Sequence, residues 1–283
     1  MKTRRTAAEL VFPAILTALI GIQTADATSL GPIGTYYGTD YPNSQIIAIQ
    51  GSNVGTTPQQ NVTQNAGNEG PLAVLPDGTV TTTGMSFGLQ GGNYTAAPAL
   101  SLTPNGLTNG NPLPGNHDAT TNGSQLFTVT YTGDVYSLNT DWSNPQLLFS
   151  TGNSFNWGIT YDFTNSTLWV QDFGGRLTNY TMGGAVLSSF LAGYGSGQGA
   201  MGLAMDLDGT LWFSDYQTST LEHYDTSGNN LGSFTFTNPG VNPTSILGAE
   251  IGTPEPGTIF LIALPLAGIV GRRFAKQARR TRI

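Results

Sequence analysis

Gly158-Ile-Thr-Tyr-Asp162-Phe-Thr-Asn-Ser-Thr-Leu168-Trp169-Val-Gln-Asp172-Phe173 and Gly202-Leu-Ala-Met-Asp206-Leu-Asp-Gly-Thr-Leu211-Trp212-Phe-Ser-Asp215-Tyr216 are two copies of one pattern. The offset is 44 residues as far as Asp206 and 43 from Leu211. It returns to 44 where Tyr180 matches Tyr224, Leu187 matches Leu231 and Phe190 matches Phe234. A fixed period of this length marks an array whose units bury their apolar faces only against one another. Each copy is written in β grammar. Asp208-Gly209 is a tight turn between a first and a second strand, and Ser227-Gly228-Asn229-Asn230 is another between a third and a fourth.

Working outward, Gly115-Asn-His-Asp118-Ala-Thr-Thr-Asn122-Gly-Ser-Gln-Leu126-Phe127 takes the place of Gly158 to Trp169, with Asp118 set against Asp162. Gly133-Asp-Val135 takes that of Gly175-Arg-Leu177, which makes a third copy. Gly70-Pro-Leu-Ala-Val-Leu-Pro-Asp77-Gly78-Thr79-Val80 echoes Gly202 to Leu211 and makes a fourth. The two ends complete each other: Ser245-Ile246-Leu247-Gly248-Ala249-Glu250 is a first strand with nothing after it. Tyr36-Tyr37-Gly-Thr-Asp40-Tyr41 matches the second strand at Leu211 and has no first strand of its own. Pairing them closes a ring without an open edge. The fold expected is therefore all-β, a β-propeller of five four-stranded blades. Six remain open, because residues 81–114 are poorly patterned and read either as further strands or as an elaborated loop.

The runs Gly202 to Asp215 and Leu221-Glu-His-Tyr-Asp-Thr-Ser-Gly228 resemble blades of the NHL, gluconolactonase-like and streptogramin-lyase-like propellers. In the lyase-like enzymes acid–base chemistry depends on a histidine and a metal-binding acid near the central channel. The resemblance thus singles out His117, one of two histidines, as a catalytic candidate; the other, His223, aligns with Asn179 in an outer-half strand. Recurring carboxylates are the candidate ligands for Ca²⁺ or another hard cation: Asp118, Asp162 and Asp206 at the ends of first strands, with Asp40, Asp172 and Asp215 at the ends of second strands. The competing reading has Asp accepting backbone N–H bonds in turns, which also predicts its recurrence. No nucleophile elbow, phosphate loop or metal-spaced histidine cluster is present in the sequence. Trp169 and Trp212 fall at repeat positions and read as inter-blade core; Trp157, Tyr41 and Tyr216 sit near strand ends, where rings could stack on sugars.

The termini read as signals. Met1-Lys-Thr-Arg-Arg5, an apolar stretch from Ala7 to Ile22 and the small-x-small Ala25-Asp26-Ala27 form a secretory leader, residues 1–27. At the other end, Thr253-Pro254-Glu255-Pro256 precedes an uncharged run to Gly271 and a basic tail containing Arg272, Arg273, Lys276, Arg279 and Arg280. As a helix this run reaches about 24 Å, short of the roughly 30 Å hydrocarbon core. The basic cluster keeps its end cytoplasmic. The three parts in this order resemble the PEP-CTERM sorting signal of Gram-negative bacteria. The resemblance implies an exosortase as processing partner, a transient stay in the inner membrane as a transmembrane sorting helix, and delivery to the cell surface or extracellular matrix. An ordinary tail anchor is the alternative, and either leaves residues 28–252 outside the membrane.

Nine of the ten Lys and Arg residues lie in these two terminal segments; between them Arg176 faces fourteen Asp and Glu residues. Such a domain is repelled by polyanions, which argues against nucleic acid as a partner. The absence of cysteine excludes disulfides and thiolate metal sites. The expectation is an exported, biofilm- or exopolysaccharide-associated protein whose propeller is a non-catalytic binding or structural module, without a required cofactor, and whose partner is an exopolysaccharide or a surface protein. A metal-dependent lactonase- or lyase-like enzyme is the competing class.

Overall fold

The computed structural model describes residues 33–43, 45–50, 59–64, 69–96, 102–194, 199–216, 218, 220–235 and 246–252. The leader with Ala25 and Ala27, and the tail with Pro254, Glu255, Pro256 and the basic cluster, lie outside the described residues. The described chain holds five four-stranded antiparallel sheets. Blade 1 contains β1 (Thr35–Asp40), β2 (Gln45–Gln50) and β3 (Gln59–Gln64). Blade 2 is β4 (Glu69–Val74), β5 (Thr79–Gly84), β6 (Gln90–Ala96) and β7 (Leu102–Gly110). Blade 3 is β8 (Asn116–Thr121), β9 (Leu126–Thr130), β10 (Asp134–Leu138) and β11 (Gln146–Ser150). Blade 4 is β12 (Asn156–Asp162), β13 (Thr167–Asp172), β14 (Arg176–Tyr180) and β15 (Val186–Leu191). Blade 5 is β16 (Ala200–Met205), β17 (Leu211–Asp215), β18 (Thr220–Tyr224) and β19 (Asn230–Thr235). Finally β20 (Ile246–Gly252) returns to blade 1 and pairs with β1, from Thr35 opposite Gly252 to Asp40 opposite Ile246. The ring closes as the two incomplete ends require, and it has five blades.

The first strands β4, β8, β12, β16 and β20 neighbour one another around the axis. Five apolar clusters fill the gaps between successive blades. Trp212 packs with Tyr36, Ile47 and Ile251 between blades 5 and 1, and Trp169 packs with Leu203, Leu211 and Phe213 between blades 4 and 5. Both rings are buried, which is what their recurrence at one repeat position implied. Burying side chains of this size stabilises by roughly 2–3 kcal/mol each, so the seams between sheets carry much of the fold.

Residues 81–114 are not an elaborated loop: β6 and β7 complete blade 2. Their pattern is hard to read because polar side chains do the joining. Asn109 Nδ2 donates to Asn93 Oδ1 at 2.7 Å and to the Thr82 carbonyl at 3.0 Å. From blade 3, Trp142 Nε1 donates to Thr81 Oγ1 at 2.9 Å. Gly91 lies against the Thr82–Thr83 backbone, where a Cβ would meet atoms at 2.5 Å. Strand neighbours held by Thr and Asn in this way leave no apolar alternation to detect.

Candidate functional site

A β-bulge interrupts each first strand: between Glu69 and Leu72, Asn116 and Asp118, Asn156 and Gly158, and Met201 and Leu203, while in β20 it falls between the residues opposite Gly38 and Asp40. A bulge frees one residue from the ladder and re-aims its backbone. Here the freed N–H groups turn toward the axis. The residues that mark the bulges are Gly70, Asp118, Gly158, Gly202 and Gly248. Glycine suits the crowding: a Cβ on Gly248 would lie 2.2 Å from the Gly70 carbonyl oxygen, and one on Gly158 would lie 2.7 Å from Leu203 Cβ.

Asp118 is the one side chain in this ring, and it fills the middle. Oδ2 accepts the N–H groups of Ile159 at 2.8 Å and Leu203 at 2.9 Å; Oδ1 accepts those of Ala249 at 2.7 Å and Ala119 at 2.9 Å. The donors are the residues that follow the bulge position in blades 4, 5, 1 and 3. In blade 2 that residue is Pro71, which has no N–H to give. One carboxylate thus ties four of five blades together across the axis. Burial pushes its pKa well above the usual carboxylate range, the bonds from Ala249, Ile159 and Leu203 pull it down, and Glu250 pushes it up again. The four donors occupy the roughly four lone-pair sites of the two oxygens, so a proton has nowhere to sit without displacing a bond. We therefore take Asp118 as the anion.

The next layer contains Glu250, also buried, with the hydroxyls of Thr120 and Thr160 nearby. Those hydroxyls receive the N–H groups of Tyr161 and Met205, both at 3.0 Å, so they too bind blade to blade. Glu250 Oε1 accepts the Ile251 N–H at 3.2 Å, whereas Oε2 has no partner at hydrogen-bond geometry. Burial raises its pKa to about 8, with the threonines and the Thr121 and Ile251 amides moderating the rise. Geometry thus favours the anion at Asp118, while burial favours the protonated form of Glu250.

Second strands run antiparallel to first strands, so their ends meet the beginnings of the first strands at one mouth of the channel. An aromatic row crosses this mouth from blade 3 to blade 5. Phe155 meets Tyr131 edge-on at 4.6 Å; His117 stacks on Trp157 at 4.1 Å and 13°; Trp157 contacts Phe173 at 5.3 Å; Phe173 meets Tyr216 at 5.4 Å. Tyr131 bridges the two halves, 6.2 Å from His117 and 6.4 Å from Trp157. Phe155 is 51% exposed, and Tyr131, Trp157, Phe173 and Tyr216 are half-buried. Tyr41 also lies at this end, in the short 3₁₀ turn after β1.

The three proposed metal-binding aspartates do not come together. Asp118 is not at a strand end: the blades register through Asn116 and Asn156, opposite Thr130 and Asp172, so Asp118 corresponds to Gly158 and the turn position of Asp162 is taken by Asn122. Asp162 accepts the Thr164 and Asn165 N–H groups at 2.8 and 3.1 Å in the turn after β12. Asp206 accepts those of Ile33 at 2.7 Å and Gly34 at 3.0 Å, and Trp212 Nε1 at 3.1 Å, tying the start of the described chain to blade 5. Asp162 is the last residue of β12 and Asp206 follows β16, so both stand at the far ends of their first strands, away from the mouth. Asp162 and Asp206 therefore do what turn and capping acids do, as does Asp172, which accepts the Arg176 N–H at 2.9 Å, and Asp118, fully engaged by N–H donors, offers a cation no free lone pair. Among the described residues no three of His, Asp and Glu are placed to hold a metal ion together. A divalent-metal centre of the lyase kind does not fit these residues.

His117 stands at the mouth beside Asp118, corresponding to Trp157 and Met201 of the next blades. It is buried, its Nδ1 has no hydrogen-bond partner, and burial lowers its pKa to about 4. At neutral pH it is an uncharged ring in the aromatic row. His223 lies flat on Trp212 at 3.9 Å with Nε2 2.7 Å from Thr210 Oγ1, and it is buried. Sequence reasoning missed the axial role of Asp118, the burial of Glu250 and the aromatic bridge at Phe155. The signal for the first was present: glycine in four first strands and aspartate in the fifth, visible once blades 3 and 4 are registered on Asn116 and Asn156.

No family model matches the sequence, and no curated protein matches it. Among solved structures, a chain from a nidogen–laminin complex superposes with a TM-score of 0.54 at 14% identity, over 78% of this chain and 99% of that one. Glutaminyl cyclase from Myxococcus xanthus gives 0.42 at 17% identity over 65% and 71% of the two chains. Virginiamycin B lyase from Staphylococcus aureus gives 0.42 at 16% identity over 76% and 73%. Likeness at these identities concerns the fold, and the first of the three supports the β-propeller on which the sequence repeat and the sheet topology already agree.

Proposed function

We propose that the chain is an exported surface or matrix protein, sorted through its Pro254-Glu255-Pro256 tail by an exosortase-type enzyme, and that its propeller is a non-catalytic binding module working through the channel mouth. The observation that carries the binding reading is the use of the axial carboxylate. In a propeller enzyme of the metal-dependent kind the channel supplies free acids to a cation. Here Asp118 is consumed by four backbone N–H groups, and the aromatic row at the mouth is the feature that remains open to a ligand. The acidic, nearly lysine- and arginine-free middle of the chain supports an extracellular partner that is uncharged or protein in nature. Delivery rests on the order of the terminal signals.

The sorting half is tested with an epitope-tagged full chain carrying Pro254→Ala and Pro256→Ala. The unaltered chain is expected in the medium or matrix fraction and the double variant in the membrane fraction; identical partitioning of the two sinks the processing role of the motif. The catalytic alternative, a metal-dependent lactonase or lyase, replaces the binding reading if protein purified without chelator carries one divalent ion per chain and turns over a lactone, with both lost in His117→Ala.

A further inference from the structure

The position before the first strand is glycine on either side of blade 4: Gly115 in blade 3 and Gly199 in blade 5. Blade 4 has Phe155. The backbone does the same work at all three. The carbonyls of Gly115, Phe155 and Gly199 accept the N–H groups of Tyr131, Phe173 and Tyr216 at 2.8, 2.9 and 2.8 Å, which pins the end of each second strand to the start of the first strand of its own blade. Gly115 has φ 74°, a left-handed conformation natural to glycine, and Phe155 holds φ 63° with a bulky side chain. This strain is not recovered by burial, since about half of the ring faces solvent and its aromatic partner is Tyr131. Strain held at an exposed aromatic side chain points to a role outside the fold.

From this, and resting on the binding-module reading above, we propose that Phe155, Tyr131, Trp157, Phe173 and Tyr216 form a stacking platform for an uncharged polysaccharide. The rings are linked contact by contact across three blades, which suits a chain ligand better than a compact one. Aromatic ring faces accept the apolar faces of pyranoses, and Thr151 and Asn153, partly or fully exposed just before Phe155 in the chain, offer polar groups to hydroxyls. The fourteen acids against Arg176 between the terminal segments repel uronate or sulfated polymers.

The test is native affinity electrophoresis of the purified full chain through gels containing pullulan, a galactomannan or a mixed-linkage β-glucan, with alginate as the anionic arm. Retardation by at least one neutral polymer and none by alginate is expected. Phe155→Gly and Phe155→Ala should each weaken the retardation at least tenfold. The glycine variant should melt no lower than the unaltered chain, and the alanine variant, which keeps the strain, should melt below the glycine variant. Undiminished retardation in both variants, or a large loss of melting temperature in Phe155→Gly, overturns the platform and assigns Phe155 to the fold. Retardation by alginate alone overturns the ligand class while leaving a binding module. Retardation by none of the polymers overturns the glycan proposal, and the sorting and turnover experiments then decide the broader reading separately.

Discussion

Replacing Asp118 with asparagine tests the axial carboxylate directly. The side chain keeps its shape, but one oxygen becomes an NH₂ group that faces two N–H donors, either Ile159 with Leu203 or Ala249 with Ala119. A buried donor left without an acceptor costs about 1–3 kcal/mol, so two cost about 2–6 kcal/mol. Against this stands the relief of no longer burying a charge, a penalty of several kcal/mol per ion in a site without counter-ions. The bonds should win, because all four are 2.9 Å or shorter and bonds to a charged acceptor contribute about 1.5–3 kcal/mol each. The expected net loss is roughly 2–4 kcal/mol, or about 4–16 °C in melting temperature for a domain of this size. Urea unfolding followed by tryptophan fluorescence reads it, since Trp142, Trp169 and Trp212 are buried. An unchanged or higher midpoint would refute the reasoning. Asp118 would then be a cost carried by the fold, and the channel would again be the first place to seek an activity.

Two further perturbations follow from the same axis. Glu250, with its pKa raised from 4.5 to about 8, binds its proton more tightly folded than unfolded, so its contribution is fully present below about pH 4.5 and is lost as pH rises through about 8. Thermal melts should fall between pH 6 and 9 and flatten in Glu250→Gln; an unaltered slope in the variant removes Glu250 as the cause. His117 and His223, lowered to about 4 by burial, act oppositely, stabilising above pH 6.5 and withdrawing that support toward pH 4, so their double replacement by glutamine should shallow the acid limb of the same curve. Gly248→Ala should be among the most damaging single-methyl additions, because its Cβ meets the backbone of Gly70 and Leu72 at 2.2 and 2.8 Å. Gly110→Ala, with nothing within 4 Å, should leave the urea midpoint within about 0.5 kcal/mol of the unaltered chain. Equal effects of the two would show that the axis is not close-packed.

The amino-acid sequence determined the class of fold, the repeat, the pairing of its ends and the burial of Trp169 and Trp212. Each of these rests on local pattern: a period, a turn dipeptide, an apolar residue at a fixed place. It also carries the terminal segments proposed above to act as signals, a reading that rests on linear order alone. Tertiary structure alone decided what the acids do. Asp118, Asp162 and Asp206 look equivalent as text. Strand pairing sets Asn116 against Asn156, so Asp118 falls at the Gly158 position on the axis with four backbone donors, while Asp162 and Asp206 stand at the far side. The outer strands of blade 2, β6 and β7, were hard to read because Thr–Asn hydrogen bonds between strands leave no periodicity in hydrophobicity. The aromatic row belongs to no single motif, because Tyr131, Trp157, Phe173 and Tyr216 become neighbours only when three blades stand side by side around a common axis.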